Sequence, residues 1–178
     1  LSTSIRDMAG GTDNSEFSIG GMSSKLYAAE IVTAAGEYLW IADGREKGML
    51  EKILAGEDVG TVFLPRARRI PGRKRWISFF SRVSGTLLID AGAEKAVREH
   101  GRSLLPSGVK FVSGAFKRGD TVEISGPDGV PFARGLVNFD AADCLRICGH
   151  GSAEIHSVLG PNVDEEVIHR DNLTLNIS

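Results

Sequence analysis

Arg66-Ala-Arg-Arg-Ile-Pro-Gly-Arg-Lys-Arg-Trp-Ile-Ser-Phe-Phe-Ser-Arg82 holds seven cationic side chains and no acidic one, with Pro71-Gly72 interrupting the run. A cationic stretch broken by Pro-Gly marks a boundary, because both residues punctuate regular structure and like charges resist burial. The two flanks differ in pattern. On the N-terminal side, Ser23 or Ser24 can cap a helix whose apolar residues are Leu26, Ala28, Ala29, Val32 and Ala35, and which Gly36 stops. Tyr38-Leu-Trp-Ile-Ala42 then reads as a buried strand. After the turn signal Asp43-Gly44, Leu50, Ile53 and Leu54 share one side of a short helix ended by Gly56, and a strand follows from Thr61 to Leu64. Helix, strand, helix, strand with short connections predicts an α/β layer with a parallel sheet, too small to close a core by itself.

Beyond Arg82 the pattern turns mostly β. Thr86 to Ile89 is strand-like, and Asp90 caps a helix containing Ala93, Ala96 and Val97 that Gly101 ends. Val109 to Ser113, Thr121 to Ser125 and Phe132 to Asn138 read as strands, the last two separated by the turn signal Pro127-Asp-Gly129. Two short helices, Ala141 to Ile147 and Ser152 to Leu159, precede a last strand expected near Val167 to His169. A small β-barrel with peripheral helices is the compact solution for such short strands. The domain expectations are therefore 1–69 for the α/β part, 70–84 for a basic linker, 85–163 for the β-rich domain and 164–178 for a tail. Trp76 and Ile77, apolar within the basic run, favour a seam packed against one domain.

With 178 residues, 42% hydrophobic and 25% charged, the composition is that of a globular chain. No stretch reaches the run of about 20 apolar residues that spans a bilayer, and the first residues lack the basic-then-apolar order of a secretory signal, so a cytoplasmic address is expected by elimination. Cys144 and Cys148 are too few for a disulfide framework and read as reduced, partly buried thiols; adding His150 makes a poor zinc pattern, so no metal site is expected. The net charge of −2 gives no global attraction to nucleic acid. The chain begins at Leu1 without an initiator Met, which suggests a fragment.

Residues before Ser18 read as loop, rich in Gly, Ser, Asp and Asn. The sharpest chemical feature follows them: Ser18-Ile-Gly-Gly-Met-Ser-Ser-Lys25, two glycines and two serines at the mouth of a helix with a lysine in its first turn. Glycines let backbone approach a phosphate, the free N–H groups and dipole of a helix start favour an anion, and a lysine adds a full charge. It is not a Walker A loop, since no glycine directly precedes the lysine and Leu26 follows it. By itself a Gly-Gly pair before a capped helix is commonly no more than a turn.

Gly20-Gly-Met-Ser-Ser-Lys-Leu26 with Ala28-Ala29 resembles the nucleotide-binding motif of the glutamate 5-kinase family, Gly-Thr-Gly-Gly-Met-x-Thr-Lys. In order along the chain, Ala42-Asp-Gly44, Gly60-Thr-Val-Phe63, Arg73-Lys-Arg-Trp-Ile77, Ser103-Leu-Leu-Pro106, Arg118-Gly-Asp120, Ala133-Arg-Gly135 and His169-Arg-Asp171 each resemble a segment of that family's C-terminal half. From about Gly85 to Pro161 the chain also resembles a PUA domain, a small β-barrel of RNA-modifying enzymes that is appended to many bacterial glutamate 5-kinases. The resemblance implies the end of an amino-acid-kinase fold, then a PUA-like barrel. It implies ATP with its Mg²⁺ as phosphoryl donor and L-glutamate as acceptor, in the first step of proline biosynthesis. It places the ATP-contacting loop on Ile19, Gly20, Gly21, Met22, Ser23, Ser24 and Lys25, with Lys25 meeting charge on the phosphates. Ser18 and Ile19 depart from the family's Gly and Thr. The family's first phosphate-contacting unit and its glutamate-holding residues have no counterpart in this chain, so it is expected to be inactive alone. A homo-oligomer and a glutamyl-phosphate reductase are the implied partners.

The competing reading is an RNA-binding PUA module with a decayed kinase segment. Lys110, Lys117, Arg118, Arg134 and Arg146 are scattered among acidic residues, which favours a structural or regulatory appendage over an RNA grip. His169-Arg-Asp-Asn-Leu loosely echoes a protein-kinase catalytic loop, but no glycine loop precedes it and no Asp-Phe-Gly accompanies it.

Overall fold

The computed structural model describes residues 21–67 and 69–176, and the chain divides into two units, 1–72 and 73–178. In the first unit, helix α1 (Met22–Ala34) is followed by β1 (Leu39–Ile41), α2 (Met49–Leu54) and β2 (Thr61–Phe63). α1 buries Leu26, Ala29, Thr33 and Ala34, while Ala28, expected on the apolar side, is exposed. A threonine is tolerated there because its hydroxyl donates to the Ala29 carbonyl at 2.7 Å. Gly36, at φ +83°, ends the helix as expected, its N–H bonded to the Thr33 carbonyl.

β1 and β2 pair antiparallel, Leu39 opposite Phe63 and Ile41 opposite Thr61, which corrects the parallel sheet expected here. The connection holds one six-residue helix set between two left-handed glycines, Gly48 and Gly56, and the chain re-enters at the end it left. Gly60 is obligatory at that re-entry. A Cβ there would lie 2.5 Å from the Ile41 carbonyl oxygen, at φ +70°. The Asp43 turn is locked by Arg45, whose guanidinium and backbone N–H both donate to the carboxylate and hold its pKa at about 2. Leu50 and Leu54 lie exposed, as expected of a layer too small to enclose a core.

Helix α3 (Gly72–Phe79) carries the chain into the second unit at Arg73, so the stretch expected as a basic linker holds a helix. Ile77 is fully buried and Trp76 half-exposed. Two polar contacts tie α3 into the unit: Arg134, itself held by Glu123 at 3.0 Å, donates to the Ser78 carbonyl at 3.2 Å, and the Ser78 and Thr174 hydroxyls meet at 3.3 Å. β3 (Val83–Ile89), α4 (Ala91–His100), β4 (Val109–Gly114), β5 (Thr121–Ser125), β6 (Pro131–Leu136), α5 (Ala141–Ile147), α6 (Ser152–Leu159) and β7 (Leu173–Leu175) complete it. The sheet order is β4-β3-β5-β6-β7, with only β3 and β5 parallel. Alternate strand residues such as Leu87, Ile89, Val112, Val122 and Ile124 supply the core, closed by Val97 of α4, Ile147 of α5 and Ile155 of α6. Asp90 caps α4 by accepting from the Ala93 N–H at 2.8 Å, and Gly101 ends it in the left-handed conformation.

The last strand lies at 173–175 rather than near Val167 to His169. Val167 and Ile168 are buried instead, and Ile168 makes one isolated bridge to Leu104. Residues 164–178, expected as a tail, thus supply the edge strand β7. Both cysteines are free. Burial pushes the Cys144 thiol up to about 12 and raises Cys148 as well, whose sulfur donates to the Val109 carbonyl at 3.0 Å.

Candidate functional site

The start of α1 is built differently from an ordinary capped helix. Gly21 occupies the N-cap position and has no side chain to offer, and the helix begins at Met22. Ser23 and Ser24, expected as caps, therefore sit inside the first turn. The Ser24 hydroxyl donates back to the Gly21 carbonyl at 2.7 Å instead of accepting from an amide. Among the described residues the first-turn N–H groups thus receive no side-chain cap, and the first turn itself carries no acidic residue, the two usual ways a chain quenches its own helix start. Lys25, exposed and without an ion-pair partner among the described residues, stands one turn from Gly21. Uncapped amides, a helix dipole and a nearby ammonium are together the features that attract an anion. Ile19 and Gly20, expected in the same loop, lie outside the described residues, as does everything before them.

A second concave site lies wholly within the β-rich unit. Sequence reasoning missed it because its walls come from two distant segments. The antiparallel bridge between Leu104 and Ile168, with the Leu104 N–H donating to the Ile168 carbonyl at 2.9 Å, sets 101–108 beside 166–170. Between these segments and the start of α4 opens a cleft of about 690 Å³. Arg102, Ser103, Ser107, Glu166, His169 and Arg170 line it. The only signal in the sequence was that Ser103-Leu-Leu-Pro106 and His169-Arg-Asp171, two of the ordered motifs, flank it.

The cations weighed for an RNA grip are mostly ion-paired within their own unit. Lys110 pairs with Asp90 (3.2 Å), Arg118 with Asp164 (2.8 Å), Arg134 with Glu123 (3.0 Å) and Arg146 with Asp143 (3.2 Å). Among the described residues no group of three or more His, Cys, Asp or Glu could hold a metal ion, and no helix is long and apolar enough to cross a membrane.

Residues 85–159 match the family model described as the PUA domain. A curated protein named glutamate 5-kinase from Syntrophotalea carbinolica is 45% identical over 98% of this chain and 47% of its own length. Another of that name, from Desulfotalea psychrophila, is 48% identical over 98% of this chain and 46% of its own. A solved PUA domain from Aeropyrum pernix K1 overlays with a TM-score of 0.37 at 23% identity, covering 56% of this chain and 49% of that one. The chain spans about half the length of the curated relatives it matches, and within it an α/β segment precedes a PUA-like β domain.

Proposed function

We propose that this chain is the C-terminal half of a glutamate 5-kinase, which moves the γ-phosphoryl group of ATP onto the side-chain carboxylate of L-glutamate to give glutamyl 5-phosphate in the first step of proline biosynthesis. One observation carries the reading: the uncapped start of α1, with Lys25 beside it, lies in a chain 45–48% identical over nearly its whole length to proteins of that name. The reaction brings two anions together, so catalysis depends on positioned positive charge. The loop Ile19, Gly20, Gly21, Met22, Ser23, Ser24 would supply backbone N–H groups to the phosphates of ATP, and Lys25 would neutralise charge developing on the transferred group.

Mg²⁺ belongs to this chemistry as the ion carried by ATP, offsetting phosphate charge. Residues that hold glutamate belong to the other half of the longer protein, so the chain alone would be silent. The product is a labile acyl phosphate, which makes handover to a glutamyl-phosphate reductase, within a homo-oligomeric cytoplasmic enzyme, the expected arrangement. An RNA-gripping role for the PUA domain is the weaker alternative, because four of the five cations proposed to serve it are ion-paired.

The test is ATP-dependent hydroxamate formation, trapping glutamyl phosphate with hydroxylamine, in the full-length protein and its Lys25→Ala variant. Loss of a charged donor to a phosphoryl transition state predicts a fall of about 10²-fold or more in kcat. A folded variant with unchanged turnover would remove Lys25 from the site, and a folded full-length protein without product would end the kinase reading.

A further inference from the structure

The cleft of the β-rich unit has a charge arrangement that nothing in the phosphoryl-transfer reading uses. Arg102 and Arg170 lie two residues outward from the Leu104–Ile168 bridge in opposite directions, and both line the cleft, so it carries two guanidinium groups. Neither has a carboxylate partner among the described residues, whereas Arg98, Lys110, Arg118, Arg134 and Arg146 of the same unit do. Two cations lining one cleft without a counter-ion repel, and an anion bound in the cleft relieves that repulsion. Ser103 and Ser107 add hydroxyl donors. The Ser103 oxygen already accepts the Arg170 N–H at 3.0 Å, which leaves its own proton free to donate.

Glu166 lines the same cleft, and no cation pairs with its carboxylate among the described residues. Asp90, the other acid there, is already engaged by the Ala93 N–H and by Lys110. Opposite charges therefore face one cavity without joining each other, leaving an anion site and a cation site to be bridged. The cleft's volume falls in the range of small-molecule sites. Its lining holds no Phe, Tyr or Trp on which a base could stack, and an unpartnered carboxylate repels a phosphate chain.

We propose that this cleft binds a small zwitterion of the amino-acid class, its carboxylate held by Arg102, Arg170 and the two serines and its ammonium by Glu166. The inference rests on the cleft and not on the kinase reading, and its test involves no catalysis. The 178-residue chain, labelled with ¹⁵N, is titrated separately with L-glutamate, glycine, propionate, inorganic phosphate and a short single-stranded RNA. The amino acids are expected to give saturable shifts at the amides of Gly92, Ser103, Ser107 and Gly108. Propionate, which lacks the ammonium, should bind about tenfold more weakly, the loss expected for one charge-assisted hydrogen bond. Arg170→Gln should weaken both by about tenfold, and Glu166→Gln should abolish the preference for amino acid over propionate. The amide spectrum also reports whether each variant is folded. Equal binding of propionate and amino acids, saturable shifts only with phosphate or RNA, or no saturable shift with either amino acid overturns the proposal.

Discussion

Gly85 stands opposite Gly114 in the β3–β4 pair, and Gly85→Ala is the perturbation whose cost can be worked most directly from the structure. The added Cβ would lie 2.5 Å from the Ser113 carbonyl oxygen and 2.5 Å from Cδ1 of Phe116, each about 1 Å inside an ordinary contact. Phe116 is 2% exposed and belongs to the core, so its ring cannot step aside without opening the packing, and the carbonyl belongs to the paired strand. Overpacking of this kind costs about 1–3 kcal/mol, and two hard contacts put it near the top of that range. Alanine returns about 0.5–1 kcal/mol by restricting the unfolded chain. The net loss is roughly 2 kcal/mol, a drop of about 8–16 °C in Tm for a unit of this size. Thermal unfolding followed by circular dichroism measures it, with Gly44→Ala as the control, since a methyl there meets nothing within 4 Å. In a Phe116→Leu background the cost of Gly85→Ala should shrink, because one of the two obstacles has been trimmed. An unchanged Tm for Gly85→Ala, or the same cost in both backgrounds, would refute the close-approach argument.

Asp90→Ala should lower stability by about 1 kcal/mol at neutral pH through loss of the α4 cap. The capping N–H of Ala93, and then Lys110, hold the Asp90 pKa below its usual 3.8 in the folded chain. Its contribution is therefore complete above 3.8 and lost as pH falls through the depressed folded value; a wild-type-to-variant gap that stays constant into strong acid would contradict this sign. Cys144, its thiol pushed up to about 12 mainly by burial, should resist iodoacetamide while the less buried Cys148 is alkylated first, by about tenfold or more in rate on peptide mass analysis. Equal rates would show that the helix bearing Cys144 opens as readily as its end.

Where a signal was local, it was legible in the residues. Asp90 and Gly101 bracket α4 because a capping carboxylate and a left-handed glycine act on the backbone within one turn of themselves, whatever the chain does elsewhere. Thr121 to Ser125, Ala141 to Ile147 and Ser152 to Leu159 likewise stand where side-chain pattern and turn residues put them. α1 was legible in extent but not in its cap. Two serines beside a glycine leave the N-cap ambiguous by two or three positions, and that ambiguity decided whether the first-turn amides were quenched or open. The basic stretch after Pro71 looked like linker because its charge outweighs its pattern. Ile77, the hydrogen bond from Arg134 to the Ser78 carbonyl and the one between the Ser78 and Thr174 hydroxyls make it a helix of the second unit, and those partners lie 56 and 96 residues away.

The direction in which β1 meets β2 depends on the path of the connection, which neither strand encodes. The pairing of Lys110 with Asp90, Arg118 with Asp164 and Arg134 with Glu123 depends on how separate segments of the chain meet, whereas Arg146 finds Asp143 within its own helix. The order of motifs along the chain, by contrast, needed no coordinates. A linear arrangement of short matched segments is a property of the sequence itself, and it was enough to point to an amino-acid-kinase remnant followed by a PUA-like domain. The cleft between 101–108 and 166–170 belongs to the tertiary structure alone. Its unpaired charges became neighbours only when Leu104 and Ile168 met across more than sixty intervening residues, because electrostatic complementarity is set by distance in space and a sequence states only distance along the chain.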